Sequence, residues 1–317
     1  MPLSLNSIYQ PLNEFFMNQF GIDAVTMVFR LEKLGPAISD KDFFGPANSY
    51  SKSVAIETFS NLVNNVPVES ADGLSVTDSE IQIDDSYSAM LTGALPYVDP
   101  EVVTDVREEV LGQISSELAT ARRHFQQITA ESSTGIMMEF KPSLAQPTDW
   151  YDQTNANNWT RQNFAIIQTD EGPVAINSQL WQMQGEPASS DAENVSIIFD
   201  CCVVRIRRPW MDTAFINSRD WYIPGKIIGE LTTPSSRHIN LTLLPTAMIV
   251  IKNLNIQAKW TDADRQIAAN ATAFGPFRIT SGIVNECLTH TGMQVIGWLL
   301  ERMPMLPPNA PPPTVEG

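Results

Sequence analysis

At 317 residues, 43% hydrophobic and 18% charged, the chain has a globular composition and the length for one large core or two ordinary domains. A formal net charge of −16 repels nucleic-acid phosphate, which excludes general nucleic-acid binding and leaves membrane contact open but unfavoured. The N-terminus lacks a signal-peptide pattern and no apolar run reaches the roughly 18 residues of a membrane helix, so the expected location is the cytoplasm, with any release by lysis or non-classical export.

The chain begins with a short helical stretch, where Phe15, Phe16, Met17 and Phe20 cluster before Gly21. Ala24 to Leu31 then has the β-branched and aromatic content of a strand. Gly35-Pro36 and Gly45-Pro46 mark a loop, and Ser53 to Val66 is compatible with helix or strand. Every charged residue from Pro67 to Glu101 is acidic. Within that segment SEIQID (Ser79 to Asp84) alternates like an exposed strand, and the segment as a whole reads as a solvated or partner-facing surface. Its spacing does not fit an EF-hand loop.

Asp99-Pro100-Glu101 has the character of a helix start: a capping side chain, a proline at the first helical position and an acid at the positive end of the dipole. Val103, Val106, Val110, Ile114, Leu118, Ala121, Phe125 and Ile128 follow at threes and fours. One long amphipathic helix is expected over about residues 100–130, on the order of 45 Å long. A boundary, if the chain has one, falls between Gly135 and Trp159. The division is then a mixed α/β part over 1–150, a β-rich part over 160–303 and a proline-rich tail over 304–317, with a single composite domain as the alternative.

Beyond that point the pattern is β. Strands are expected at Phe164–Gln168, Val174–Met183, Val195–Ile206, Ile239–Leu244, Ala247–Ile256 and Arg278–Thr280, most of them separated by turn residues. Several strands, long loops and one long helix indicate an α+β fold whose C-terminal part is an antiparallel, sandwich-like β-structure. Met293 to Met303 reads as helix rather than strand, and the tail after Pro304 as an extended or loose arm with docking potential.

The phosphate-loop, dinucleotide-binding, nucleophile-elbow and zinc-protease motifs are all missing. Cys201, Cys202 and Cys287 are expected as reduced thiols, the adjacent pair on opposite faces of a strand. His290 near Cys287, and His238 after Ser235 and Ser236, are weak starting points for a metal or a nucleophile, so no catalytic residue, metal ligand or cofactor is assigned.

Two aromatic clusters remain as candidate sites. Trp150, Tyr151 and Trp159, near Asp149 and Asp152, could stack on a sugar. Arg205, Arg207, Arg208, Trp210, Trp221 and Tyr222 follow an apolar strand and have the residue types that anchor interfaces. The excess of acid favours the arginines pairing with carboxylates of their own chain, while a second copy or another protein is the alternative partner. The leading expectation is a non-enzymatic structural or interaction protein that self-associates through this arginine-tryptophan loop and the long helix. The alternatives are a membrane-active, toxin-like protein, suggested by the long helix and the stretch Ile267 to Phe274, and a carbohydrate-binding or carbohydrate-acting protein.

Overall fold

The computed structural model describes residues 5–21, 25–43, 49–71, 73–132, 139–166, 181–183, 190–233 and 241–312. Its centre is a curled, half-barrel-like sheet. The strands are β1 (Met27–Glu32), β2 (Ala37–Ile38), β3 (Asn65–Glu69), β4 (Ser75–Gln82), β5 (Leu144–Gln146), β6 (Thr160–Ile166), β7 (Glu193–Arg207), β8 (Leu243–Lys259), β9 (Cys287–His290) and β10 (Met293–Arg302). They lie in the order β3-β4-β1-β10-β8-β7-β5, with β2 also on β10, β9 on β8 and β6 on β7. The β1–β4 pair is parallel and its neighbours are antiparallel, so the sheet is mixed. The α+β class is therefore observed, but the antiparallel, sandwich-like C-terminal structure is not confirmed, because its strands belong to a curled sheet that is mixed through the β1–β4 pair.

Three rows of this sheet are each made of two strands laid end to end. Leu31 pairs with Gly297 and Ala37 with Gln294, so β1 and β2 share one edge of β10. Gln146 pairs with Arg205 and Thr160 with Cys201, so β5 and β6 share one edge of β7. In the same way β9 and β10 follow one another along β8.

Burial on β7 changes face along its length. Val195, Ile197, Phe199 and Cys201 enter one core with helix α1 (Leu5–Gln19). Cys202, Val204 and Ile206 enter a second core, on the other face, with helix α2 (Ser49–Val63). The adjacent cysteines sit at the crossover as free buried thiols, whose pKa values burial pushes up to about 11 and about 12. In β8, Ile249 and Val250 are both 0% exposed although they point to opposite faces, so the middle of the sheet is covered on both sides.

Two-sided burial also explains β10, which was expected as a helix. Met293 to Leu300 are all buried, so the strand shows an unbroken apolar run rather than alternation. Gly297 is required here by space: a Cβ would lie 2.5 Å from Phe29 Cζ and 2.7 Å from the Arg30 carbonyl. Ser53–Val66 resolves as helix α2 up to Val63 and then as the start of β3 at Asn65, and SEIQID divides between the end of β4 and helix α3 (Ile83–Gly93).

The long helix, α4, spans Thr104–Gln127 and is about 36 Å long, shorter than expected. Asp99 does not cap it. Its Oδ1 accepts from the Glu101 amide (2.8 Å) in a turn that precedes the helix. Helices α3, α4 and α5 (Thr213–Asn217) enclose a third core containing Tyr87, Met90, Leu118, Trp210, Phe215 and Trp221. A further helix, α6 (Asp262–Ala268), starts at a Thr261–Asp264 capping box. Residues 167–168, 174–180 and 239–240 of the expected strands lie outside the described residues, as do Ser235, Ser236 and His238.

Candidate functional site

The arginine-tryptophan segment closes one end of the sheet. Trp210 and Trp221 are both 0% exposed, and Tyr222 is half-buried. Trp210 packs against Tyr87 and Phe125, with ring centroids 5.8 and 5.9 Å away. Trp221 stacks on Phe215 at 4.8 Å and donates Nε1–H to the Phe215 carbonyl (3.1 Å). Trp221–Tyr222 also pairs with Leu95–Pro96, fixing the segment to the start of the helical end. These two tryptophans are structural anchors with no outward surface.

The three arginines divide. Arg205 and Arg207 point outward near the end of β7 and are exposed, with no ion pair among the described residues. Arg208 is partly buried and turns inward. It donates to the carbonyls of Pro245 (2.6 Å) and Val63 (2.7 Å) and to Asn64 Oδ1 (3.2 Å). The expected pairing of these arginines with carboxylates is not what forms: Arg208 closes the C-terminus of α2, where unsatisfied carbonyls and the helix dipole favour a cation. Loss of hydration pulls its pKa down to about 9, partly offset by the field of Asp84, and it stays protonated at neutral pH.

The same device recurs on two other helices. Arg122 donates to the carbonyls of Leu91 (2.8 Å) and Ala94 (2.5 Å), at the end of α3. Lys141 reaches the carbonyls of Phe125 and Ile128 (3.1 Å for the latter) at the end of α4, with its ammonium 4.0 Å from the Phe125 ring centroid. Ser143, Asn64 and Ser60, all buried, complete the network: Ser143 Oγ donates to Asn64 Oδ1 (2.7 Å) and the Ser143 amide to Ser60 Oγ (2.8 Å). The network pins helix ends.

The second candidate cluster lies in the excursion between β5 and β6. Trp150 is 1% exposed and packs against Phe43, 4.9 Å between centroids. Tyr151 stacks on Phe43 at 5.0 Å. Trp159 donates to the Asp152 carbonyl (3.2 Å), and the Lys252 ammonium sits 4.2 Å from its ring centroid. Asn158 and Asn155 hold Asp149 below the usual carboxylate range, and Thr154 does the same to Asp152. A glycosidase acid needs the opposite, a raised pKa. The three aromatics are thus placed near one another, but with Trp150 removed from any surface.

Ile267 to Phe274, singled out for membrane insertion, covers the end of α6 and the short strand Ala271–Phe274, with Phe274 0% exposed in the first core. No helix among the described residues is long and apolar enough to cross a membrane, and no group of three His, Cys, Asp or Glu among them could hold a metal.

What stays uncovered is the outer side of the helical end. The α4 stripe is buried at Ile114, Leu118 and Ala121, but its beginning is open: Val103 is 67% and Val106 45% exposed. Leu111 on the flank and the preceding Leu95 are 42% and 40% exposed. Leu111 borders a hollow of ≈ 260 Å³ lined also by Tyr97, Arg107, Glu108, Tyr222 and Pro312. Across α4 lies another of ≈ 340 Å³, floored by Leu118, Phe215 and Trp221 and rimmed by Glu117, Asp212 and Asp220.

Sequence reasoning missed the arm that shapes the first hollow. Residues 303–312 do not trail away but run back over the helical end. Leu306 is 1% exposed and its carbonyl accepts from the Leu231 amide (2.7 Å). Asn309 donates to the carbonyls of Arg219 and Trp221, the latter at 3.1 Å, and bridges to Tyr222. These partners lie far away in sequence, so composition showed the arm's extended character and not its seat. No family model, curated protein or solved structure matches the chain.

Proposed function

We propose that the protein is a non-enzymatic interaction protein that associates with copies of itself through its helical end. The observation that supports this reading is the uncovered start of the α4 stripe, where Val103 and Val106 stand exposed, with Leu111 exposed on the flank at the edge of a hollow. An apolar stripe that continues past its own core presents the spacing by which helices dock in grooves or on one another. Arg205 and Arg207, exposed and without an ion partner among the described residues, are cations available to the acidic surface of a second copy.

Light scattering and sedimentation across a wide concentration range test the reading. Reversible association is expected, strengthened by salt because the two copies are both strongly acidic. Val106→Asp should weaken it without unfolding the chain, since the side chain is exposed. A strict monomer at every concentration and salt level would overturn the proposal.

A further inference from the structure

The arm that follows β10 ends the described chain in an unusual way. After Met303, whose amide donates to the Thr242 carbonyl (3.0 Å), the backbone leaves the sheet at Pro304, and Met305 stands 69% exposed. Leu306 then fills a slot in the third core and its amide donates to Thr232 Oγ1 (3.2 Å). The Pro307 carbonyl accepts from the Gly229 amide (3.0 Å), and Pro312 reaches the hollow beside Tyr97 and Tyr222. The receiving side consists of residues 219–232 and 95–111, and the exposed stretch at Pro304–Met305 connects the arm to β10.

Resting on the self-association reading above, we propose that this seat is an exchange site, which receives the arm of a second copy in place of its own. Three observations carry the proposal. The seat already fits this sequence, with one buried leucine, one bridging asparagine and a proline against tyrosines, so the same segment from another copy satisfies every donor and acceptor identically. Residues 303–312 contain no charged side chain in a protein of net charge −16, so the arm can cross to an identical acidic surface without repulsion. The prolines at 304, 307, 308, 311 and 312 keep it extended, which lowers the ordering cost of docking in either direction. The seat also borders the open end of α4, so an exchanged arm and the exposed Leu111 belong to one continuous contact.

Complementation between full-length variants tests this. Asn309→Ala damages the arm and leaves the seat intact, while Tyr222→Ala damages the seat and leaves the arm intact. Each variant alone should self-associate about tenfold more weakly than the native chain. An equimolar mixture should regain association, because the good arm of the seat variant meets the good seat of the arm variant. Circular dichroism and thermal melting establish that both variants are folded. If either folds poorly, Asn309→Ser and Tyr222→Phe replace them, with a smaller loss and the same recovery expected.

A mixture no more associated than its components overturns exchange. So do single variants that associate as tightly as the native chain, an outcome that leaves self-association through α4 standing. A native chain that is monomeric throughout overturns both proposals. A monomer whose seat binds unrelated proline-rich peptides more tightly than its own arm sequence would place the occupant outside this chain and likewise overturn exchange.

Discussion

The middle of the sheet and the helical end are held together by different physics. In β7, β8 and β10 the backbone groups are paired in ladders and the side chains are apolar on both faces, with Ile249, Val250, Val295 and Ile296 all 0% exposed. Each such side chain contributes roughly 1.5–3 kcal/mol by burial. At the helical end the aromatic core is smaller and the helices must end inside it. There Arg122 and Lys141 satisfy the terminal carbonyls of α3 and α4, and beside the second core Arg208, 145 residues away in sequence, does the same for α2. Only four ion pairs occur among the described residues, although the sequence has 36 acidic side chains. These three partly buried cations serve helix ends, where a carbonyl shorn of water has no other donor, whereas the buried Lys252 serves the Gln153 carbonyl in the excursion between β5 and β6.

The sharpest way to break this contrast is Arg208→Ala. It strands the Val63 and Pro245 carbonyls and Asn64 in a partly buried site, and a loss of about 4 kcal/mol is expected in urea unfolding. Arg208→Lys should recover less than half of that, because one ammonium cannot reproduce the fork of the guanidinium.

The sheet holds the complementary case, a buried acid. Glu32 is 5% exposed, accepts from Trp298 Nε1 and faces the field of Asp78, and burial raises its pKa from 4.5 to about 7. Between these values the folded chain keeps a proton that the unfolded chain releases. The stabilisation is therefore complete below pH 4.5 and falls as pH rises to about 7. Glu32→Gln keeps the acceptor for Trp298 and removes the slope, so above pH 7 the variant should be about 3 kcal/mol more stable than the native chain. Urea midpoints measured from pH 4 to 8 check this, and an unchanged slope would assign it to another group.

Smallest is Arg207→Ala. Its side chain is exposed and without an ion partner among the described residues, so stability should move by no more than about 0.5 kcal/mol. Any effect belongs to association, as sedimentation of the variant beside the native chain would show.

The elements that were legible in the sequence are those with one dominant local signal. β7 extends only a residue or two beyond Val195–Ile206 at each end, since β-branched residues fill it, but its apolar run is fully buried on one face at a time, with the buried face changing at Cys201–Cys202. β10 was misread because burial on both faces erases alternation. Pro245 read as a break between strands, yet it sits at a bulge within β8, where the lost ladder position frees its carbonyl for Arg208. The start of α4 was misplaced because Asp and Pro suit a turn as well as a cap. At the candidate site the aromatic character of the knot was visible and its inward direction was not. Whether Arg208 finds a carboxylate or a helix end depends on Val63 and Pro245, 145 and 37 residues away.

The end-to-end rows of the sheet have a consequence for how this chain can change. Where β5 gives way to β6, both flanking strands are held in register by β7 alone, and the excursion between Gln146 and Thr160 leaves and rejoins the same edge. Strand register does not depend on its length, so new sequence that spares the buried Trp150 can be spliced there with the ladder on either side undisturbed. The architecture is a fixed frame with docking bays for added segments, and Trp150 shows one bay already furnished with a side chain that seals it to the core.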